Sequence, residues 1–377
     1  MRRPTAALMV IVASIAACST PASPTATERA ATAEATPSPN PQARLEGQIA
    51  YGAGADHQIF LLDLGSGESR QLTELTHEDA RLTSGGPLRP VLSCAFGING
   101  LAWSPRGTML AFSYGGCDSV VHVVDLDGNL QHVGDGRSPA WSPDGALLAF
   151  GPNTPFCMGA AECGQPPHPG AWNLQVADGD AGGPPSPMMA DEATSWAGQP
   201  AWSPDGTRIA FSARIKDGAA NAGLFAATWV ANADGSDPRH LVNGAWPRSW
   251  LQDGRLLVTE EQTGVIHAMN VDSGDAEPIG GGLEGPLEVS PDGTRYVIGV
   301  SDPETGTMGI QLMTIDGDFL VDRPGSLGAW APDGRAIAIE TAGGIVILDR
   351  DGNELQAYPL PVPFNVYPIA WQPEPGN

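Results

Sequence analysis

The feature that most constrains this chain is a hairpin that it repeats. Pro200-Ala201-Trp202-Ser203-Pro204-Asp205-Gly206-Thr207-Arg208-Ile209-Ala210-Phe211-Ser212 reads as a short strand ending in a large apolar side chain, a four-residue turn and a second strand. Pro204 pre-sets its backbone angle, Asp205 bonds back to the local backbone, and Gly206 supplies a positive φ. Ile209 and Phe211 then alternate with smaller residues at the period of a β-strand. Further copies are anchored on Trp103, Trp141 and Trp330, and weaker ones on Trp250 and Val289. Trp371-Gln372-Pro373 matches the first strand of one more copy. After each turn comes an alternating strand, such as Met109 to Phe112 or Ile337 to Ile339. A third strand then ends in an acidic Asx-Gly turn, such as Asp127-Gly128 or Asp351-Gly352, a hairpin signal leading to a short outer strand.

A single hairpin of this kind cannot bury its faces, whereas a stack of them can. Four strands per unit at a period of about 40 residues is the signature of a β-propeller blade. Gln48 to Tyr51, Ile59 to Asp63 and Arg70 to Thr73 match the second, third and fourth strands of a blade whose first strand is missing. Ile369-Ala370-Trp371 supplies it. The expected fold is therefore all-β: a seven-bladed propeller over residues 46–377, with anchors at 103, 141, 202, 250, 289, 330 and 371. Pairing of the C-terminal strand with the N-terminal blade closes the ring and leaves no free edge at the seam.

The Trp-Ser-Pro-Asp-Gly-x-x-Ile-Ala-Phe pattern resembles the WD40-like repeat of TolB-type propellers over roughly residues 47–373. The resemblance implies an extracytoplasmic binding or scaffolding propeller and no catalytic residues. Three departures separate this chain from TolB itself: seven blades instead of six, no preceding α/β domain, and a lipoprotein-like leader. TolB's role in the Tol–Pal envelope system is therefore not carried over.

That leader is Met1-Arg2-Arg3 followed by an apolar run from Ala6 to Ala13, too short to span a bilayer and read as a signal peptide over residues 1–17. It closes on Ile15-Ala16-Ala17-Cys18, which resembles the bacterial lipobox and implies that Cys18 becomes the lipid-modified N-terminus. A two-chain lipid anchors stably where one chain would not. Residues 18–45 are rich in Ser, Thr, Pro and Ala and lack the apolar residues that ordering requires, so a disordered tether is expected. The expected location is extracytoplasmic, on the bacterial cell membrane or a periplasmic leaflet.

Charge narrows the partners. The formal net charge is −24, and Lys216 is the only lysine. Nucleic-acid phosphates and anionic lipid both require basic footprints, so neither is an expected partner, and the membrane is reached through the lipid on Cys18 only. The acidity keeps an exposed protein soluble. Nothing calls for a second copy, and a monomer is expected.

The distance from Trp141 to Trp202 is 61 residues, and its excess lies in Pro152 to Ala171. A second long segment, Glu74 to Gly100, joins the first blade to the next. Strand alternation puts both on one rim, and loops of such length are commonly functional or disordered. Of the remaining cysteines, Cys94, Cys157 and Cys163 fall in these segments, and Cys117 lies between them at a blade's rim. An even number in an exported chain implies disulfides, with Cys94–Cys117 and Cys157–Cys163 favoured among three connectivities and metal binding by Cys157 and Cys163 as the alternative.

No catalytic motif is present: no Gly-x-Ser-x-Gly, HExxH or kinase-like pattern. His122 and His267 occupy matching third-strand positions and read as core packing. Asp125 to Gly128 and Asp349 to Gly352 read as hairpin turns, because they lack the further ligands of a calcium loop. His77-Glu78-Asp79 is a weak cation candidate. No cofactor and no metal is expected. Residues four before each anchor approach the channel mouth, where propellers bind: Asn99, Arg137, Gly198, Trp246, Gly285, Ser326 and Tyr367. Of these, Asn99, Arg137, Trp246 and Tyr367, with Arg248, are the candidate ligand-binding residues, a stacking-plus-guanidinium set for a sugar, peptide or carboxylate. The expected function is non-catalytic binding or scaffolding at the envelope, with a protein, peptide or glycan partner at the loop-bearing rim. The alternatives are a propeller-based polysaccharide lyase or hydrolase, and a subunit of an envelope complex.

Overall fold

A computed structural model describes residues 45–54, 57–80, 97–116, 119–153, 173–179, 184–188, 194–215, 227–281, 287–301, 308–326, 328–360 and 368–374. The signal peptide, the tether, Cys18, Cys94, Cys117, Cys157, Cys163, Gly285 and Tyr367 lie outside these residues, as do both expected disulfides. The described residues form seven four-stranded antiparallel sheets, and no helix occurs among them.

Each sheet is one blade, ordered below from inner to outer strand. Blade 1 is Ile369–Trp371, Gln48–Ala53, Gln58–Asp63 and Ser69–Gln71. Blade 2 is Gly97–Trp103, Met109–Gly115, Ser119–Asp125 and Leu130–Asp135. Blade 3 is Arg137–Trp141, Leu147–Gly151, Gln175–Asp178 and Ser186–Pro187. Blade 4 is Thr194–Trp202, Arg208–Ile215, Ala227–Asn232 and Arg239–Asn243. Blade 5 is Ala245–Trp250, Leu256–Glu260, Ile266–Met269 and Ala276–Gly280. Blade 6 is Leu287–Val289, Arg295–Ser301, Met308–Thr314 and Phe319–Pro324. Blade 7 is Gly328–Trp330, Ala336–Thr341, Gly344–Asp349 and Glu354–Pro359. The inner strands touch in cyclic order, with blade 1 closing back on both blade 7 and blade 2.

Closure takes the expected form. Ile49 pairs with Trp371, Ala50 with Ala370 and Tyr51 with Ile369, so the last described strand completes the first blade. Gly97 to Gly100, assigned from sequence to the long connection, instead begins the inner strand of blade 2. The apolar alternation explains where the core sits. Both faces of each blade are apolar, and every core cluster is a layer between two neighbouring blades. Ala50, Ile59 and Leu61 of blade 1 meet Trp103, Leu110 and Phe112 of blade 2, for example.

The anchors do more than fill these layers. Trp103 Nε1–H donates to the Ala370 carbonyl of the preceding blade (3.1 Å). Trp141 donates to Ala102 (3.0 Å), Trp202 to Ala140 (3.1 Å) and Trp250 to Ala201 (2.9 Å). Each indole thus reaches the residue just before its neighbour's anchor, linking blades by hydrogen bonds as well as by apolar contact. Trp330 makes the same bond, longer at 3.4 Å, to Glu288.

The turn that follows each anchor has the chemistry its residues imply. Gly206 N–H donates to the Ser203 carbonyl (2.9 Å), and Gly206 sits at φ 69°. The Ser203 hydroxyl donates to Asp205 Oδ1 (2.6 Å), which also accepts from Thr207 N–H (3.0 Å). These bonds, the Ser203 hydroxyl first, hold the Asp205 carboxyl below its ordinary range. Ser142–Asp144 and Ser290–Asp292 repeat the arrangement at 2.6 and 2.7 Å. The acidic third-strand turns are hairpin devices as expected: Asp125 Oδ1 accepts from Asp127 and Asn129 N–H.

Candidate functional site

Strand direction puts the start of every inner strand at the channel end opposite the Ser-Pro-Asp-Gly turns. In blades 2 to 5 this end carries an irregularity in the pairing of the inner strand with its neighbour. Three residues before their anchors, Gly100, Ser138 and Gln199 adopt φ 75°, 55° and 52°. Glycine takes this left-handed conformation without strain, whereas Ser138 and Gln199 hold it at a cost of about 1–3 kcal/mol each.

At this end a cavity of about 210 Å³ opens between the inner strands of blades 6, 7, 1 and 2. Blade 6 contributes Glu288, Val297, Gly299 and Ile310. Ser326 and Gly328 come from blade 7, Pro368 and Ile369 from blade 1, and Gly100 and Leu101 from blade 2. The walls are mainly apolar, and the polar side chains among them are those of Glu288 and Ser326.

Glu288 is out of pattern. The residue just before each anchor is Ala102, Ala140, Ala201, Ser249, Glu288, Ala329 or Ala370 around the ring. Six are small and one is a carboxylate. Its side chain is exposed to the channel and yet enclosed by surrounding protein, and that desolvation pushes its carboxyl up to about 7. No hydrogen bond or ion pair engages its carboxylate among the described residues; its carbonyl accepts the Trp330 indole.

Glu340 is a second exception. It lies on the second strand of blade 7, where the matching positions are Ser113, Gly151, Ser212, Thr259, Gly299 and Gly52. In blades 2 and 4 that position is a serine whose hydroxyl donates to the carbonyl four residues before the anchor, Asn99 or Gly198. In blade 7 the partnership is reversed: Ser326, four before Trp330, donates from Oγ to Glu340 Oε2 at 2.5 Å. Glu340 is 4% exposed, and burial pushes its carboxyl up to about 7 against the lowering effect of the Ser326 bond.

The structure does not gather the sequence-predicted set into this cavity. Asn99 donates from its amide to the Gly97 and Gly115 carbonyls, both at 3.3 Å. Its neighbours Gly100 and Leu101 line the cavity instead. Arg137 opens the inner strand of blade 3, half-buried, away from the lining. Trp246 and Arg248 lie on blade 5, half-buried, and Arg248 Nε–H donates to Thr259 Oγ1 (2.9 Å). Burial lowers the Arg248 pKa, and no ion pair joins it to Glu288 among the described residues. Of the described positions four before the anchors, Ser326 is the one that lines the cavity. Glu288 and Glu340 were missed, although each stands out once the copies are compared column by column.

His122 has a structural role. His122 is 2% exposed, stacks on Phe112, and its Nε2 bonds the Asp79 carbonyl (2.8 Å). Burial lowers its pKa to about 4, so it is neutral at physiological pH. Asp79 itself accepts from the Thr76 backbone and hydroxyl, both at 2.7 Å, which explains its carboxylate as part of a local turn. No cluster of three metal-ligating side chains occurs among the described residues.

No protein-family model and no curated protein matches the chain. Solved structures do match. TolB from Acinetobacter baumannii is 14% identical, with 87% of this chain and 67% of that chain covered and a TM-score of 0.48. An oligogalacturonate lyase from Vibrio parahaemolyticus is 16% identical over 80% of this chain and 85% of that one, with a TM-score of 0.51. Two prolyl endopeptidases were solved together, and the matched chain is 14% identical over 85% of this chain and half of its own length, with a TM-score of 0.52. At such identities the likeness is one of fold: the chain is a seven-bladed β-propeller.

Proposed function

We propose that this chain is a lipid-anchored, extracytoplasmic propeller that binds a ligand in the channel cavity between blades 6, 7, 1 and 2 without transforming it. The observation that carries this reading is the break in the repeat at Glu288. Where six blades place a small residue, one places an unpaired carboxylate over a largely apolar cavity. Buried or enclosed charges without partners are costly, and a ligand that supplies the partner removes the cost. The anchor and location rest on the leader ending at Cys18, and the binding role is in keeping with the TolB-like repeat.

A polysaccharide lyase or hydrolase has one observation in its favour, because two carboxyls with raised pKa flank one cavity. Paired-carboxylate chemistry requires both groups to reach the substrate. Glu340 is buried and engaged by Ser326 behind the wall, which leaves Glu288 alone. The test is a thermal-shift screen of the full chain against sugars, oligosaccharides, peptides and amines, with mass-spectrometric inspection of every stabilising compound. Stabilisation that disappears in Leu101→Phe, with the compound recovered unchanged, is the expected result. Recovery of a cleaved or eliminated product would overturn the non-catalytic reading.

A further inference from the structure

Resting on that reading, we infer that the channel cavity is a site for a primary ammonium group carried on a short apolar stem. The inference follows from the hydrogen-bonding sense of the polar side chains present. Ser326 directs its hydroxyl proton to Glu340 Oε2, so toward the cavity its oxygen offers only lone pairs. The Glu288 carboxylate likewise offers only acceptors when ionised. Among the described residues, no Arg, Lys, His, Asn, Gln, Tyr or Trp side chain lines the cavity to donate. A ligand must therefore bring the protons, and an ammonium brings three together with the opposite charge. An anionic ligand meets a carboxylate and no donor side chain, and a sugar needs donors and acceptors in alternation.

The walls select the rest of the ligand. Leu101, Val297, Ile310 and Ile369 present apolar surface suited to a methylene chain, which buries its stem while its head meets the polar end. A volume of about 210 Å³ is the share of about seven water molecules, which accommodates an n-butylammonium ion or the distal part of a lysine side chain. A bare metal ion is a poor occupant, because Glu288 and Ser326 fall short of the oxygen set that calcium or magnesium takes. Among the described residues, Glu288 is the one titratable side chain in the lining, and Glu340 lies behind Ser326 against that wall. Association should therefore strengthen as pH rises through the range in which these carboxyls ionise.

The experiment is calorimetric titration of the full chain with n-butylammonium in amine-free phosphate buffer at pH 8, with 1-butanol and butyrate as controls. The expected result is saturable binding of the ammonium ion, at least tenfold tighter than either control. Glu288→Gln should weaken it at least tenfold, and Ser326→Ala about threefold, while circular dichroism and melting confirm that both variants are folded. Adding Nα-acetyl-lysine methylamide separates the sources of the group: tighter binding than butylammonium assigns a polypeptide lysine, and weaker binding a free amine. Equal affinity for butanol and butylammonium, or unchanged affinity in Glu288→Gln, would overturn the inference. If butylammonium fails while a neutral or anionic compound binds and is lost in Leu101→Phe, the ammonium assignment is wrong and the channel reading stands. If nothing binds in a Leu101→Phe-sensitive way, both are wrong.

Discussion

The two ends of each inner strand obey different rules. At the turn end, Ser203–Asp205, Ser142–Asp144 and Ser290–Asp292 are near copies, with the same hydroxyl, the same carboxylate oxygen and almost the same distances. At the mouth end the copies diverge at the position of Glu340 into glycine, serine, threonine and one glutamate, while the residue before the anchor, nearer the turn, is small in six blades and Glu288 in the seventh. Repetition at the turn end links neighbouring blades through the anchor indoles. Variation at the other end is tolerated because the junctions are already held, and it is there that the largely apolar cavity opens.

The largest effect that separates these ends should come from an anchor. Trp141→Ala removes a packed indole and its bond to the Ala102 carbonyl, and should cost about 3–5 kcal/mol in denaturant unfolding. A loss below about 1 kcal/mol would mean that the blades do not depend on the indole belt.

Glu340 sharpens the comparison with the opposite sign. Its folded pKa is raised to about 7 from an ordinary 4.5, so the folded state holds the proton more tightly. Its stabilising contribution is full below about pH 4.5 and is lost as pH rises through about 7. Glu340→Gln should therefore be more stable than the parent at pH 8, by at most ~3 kcal/mol, and close to it at pH 4. Equal melting temperatures across that range would show that the carboxylate is not penalised.

Smaller effects follow. Ser203→Ala deletes one of several equivalent turn bonds and should cost about 1 kcal/mol. Glu288→Gln removes a carboxylate that desolvation penalises and that has no partner to lose, so at pH 8 it should leave the fold no less stable than the parent while weakening ligand binding. A marked destabilisation would place Glu288 among the structural residues and remove the contrast between the ends.

This contrast also explains what was legible beforehand. Trp202 and its turn announced the blade, because proline, aspartate and glycine at fixed offsets have few other uses. The half-blades at Gln48 and Trp371 announced the closure, because neither could stand as a sheet alone. The site was harder to see. Counting four residues back from each anchor assumes regular strands, whereas the irregularities of blades 2 to 5 change which positions face the channel. Arg137, Trp246 and Arg248 were chosen for their chemistry, and burial against their own blades gives them other surroundings. Glu288 escaped because Val289 is a weak copy of the anchor, so the column in which it stands out was the least visible. The cysteines and Tyr367 fall outside the described residues, and their roles rest on the sequence.

The most direct test of the division between the two ends is hydrogen exchange by mass spectrometry on the full chain, with and without saturating n-butylammonium. The account predicts added protection in the inner strands of blades 6, 7, 1 and 2, centred on residues 287–289 and 326–330, and none at the Ser-Pro-Asp-Gly turns. Protection at the turns, or spread evenly over all seven blades, would contradict it.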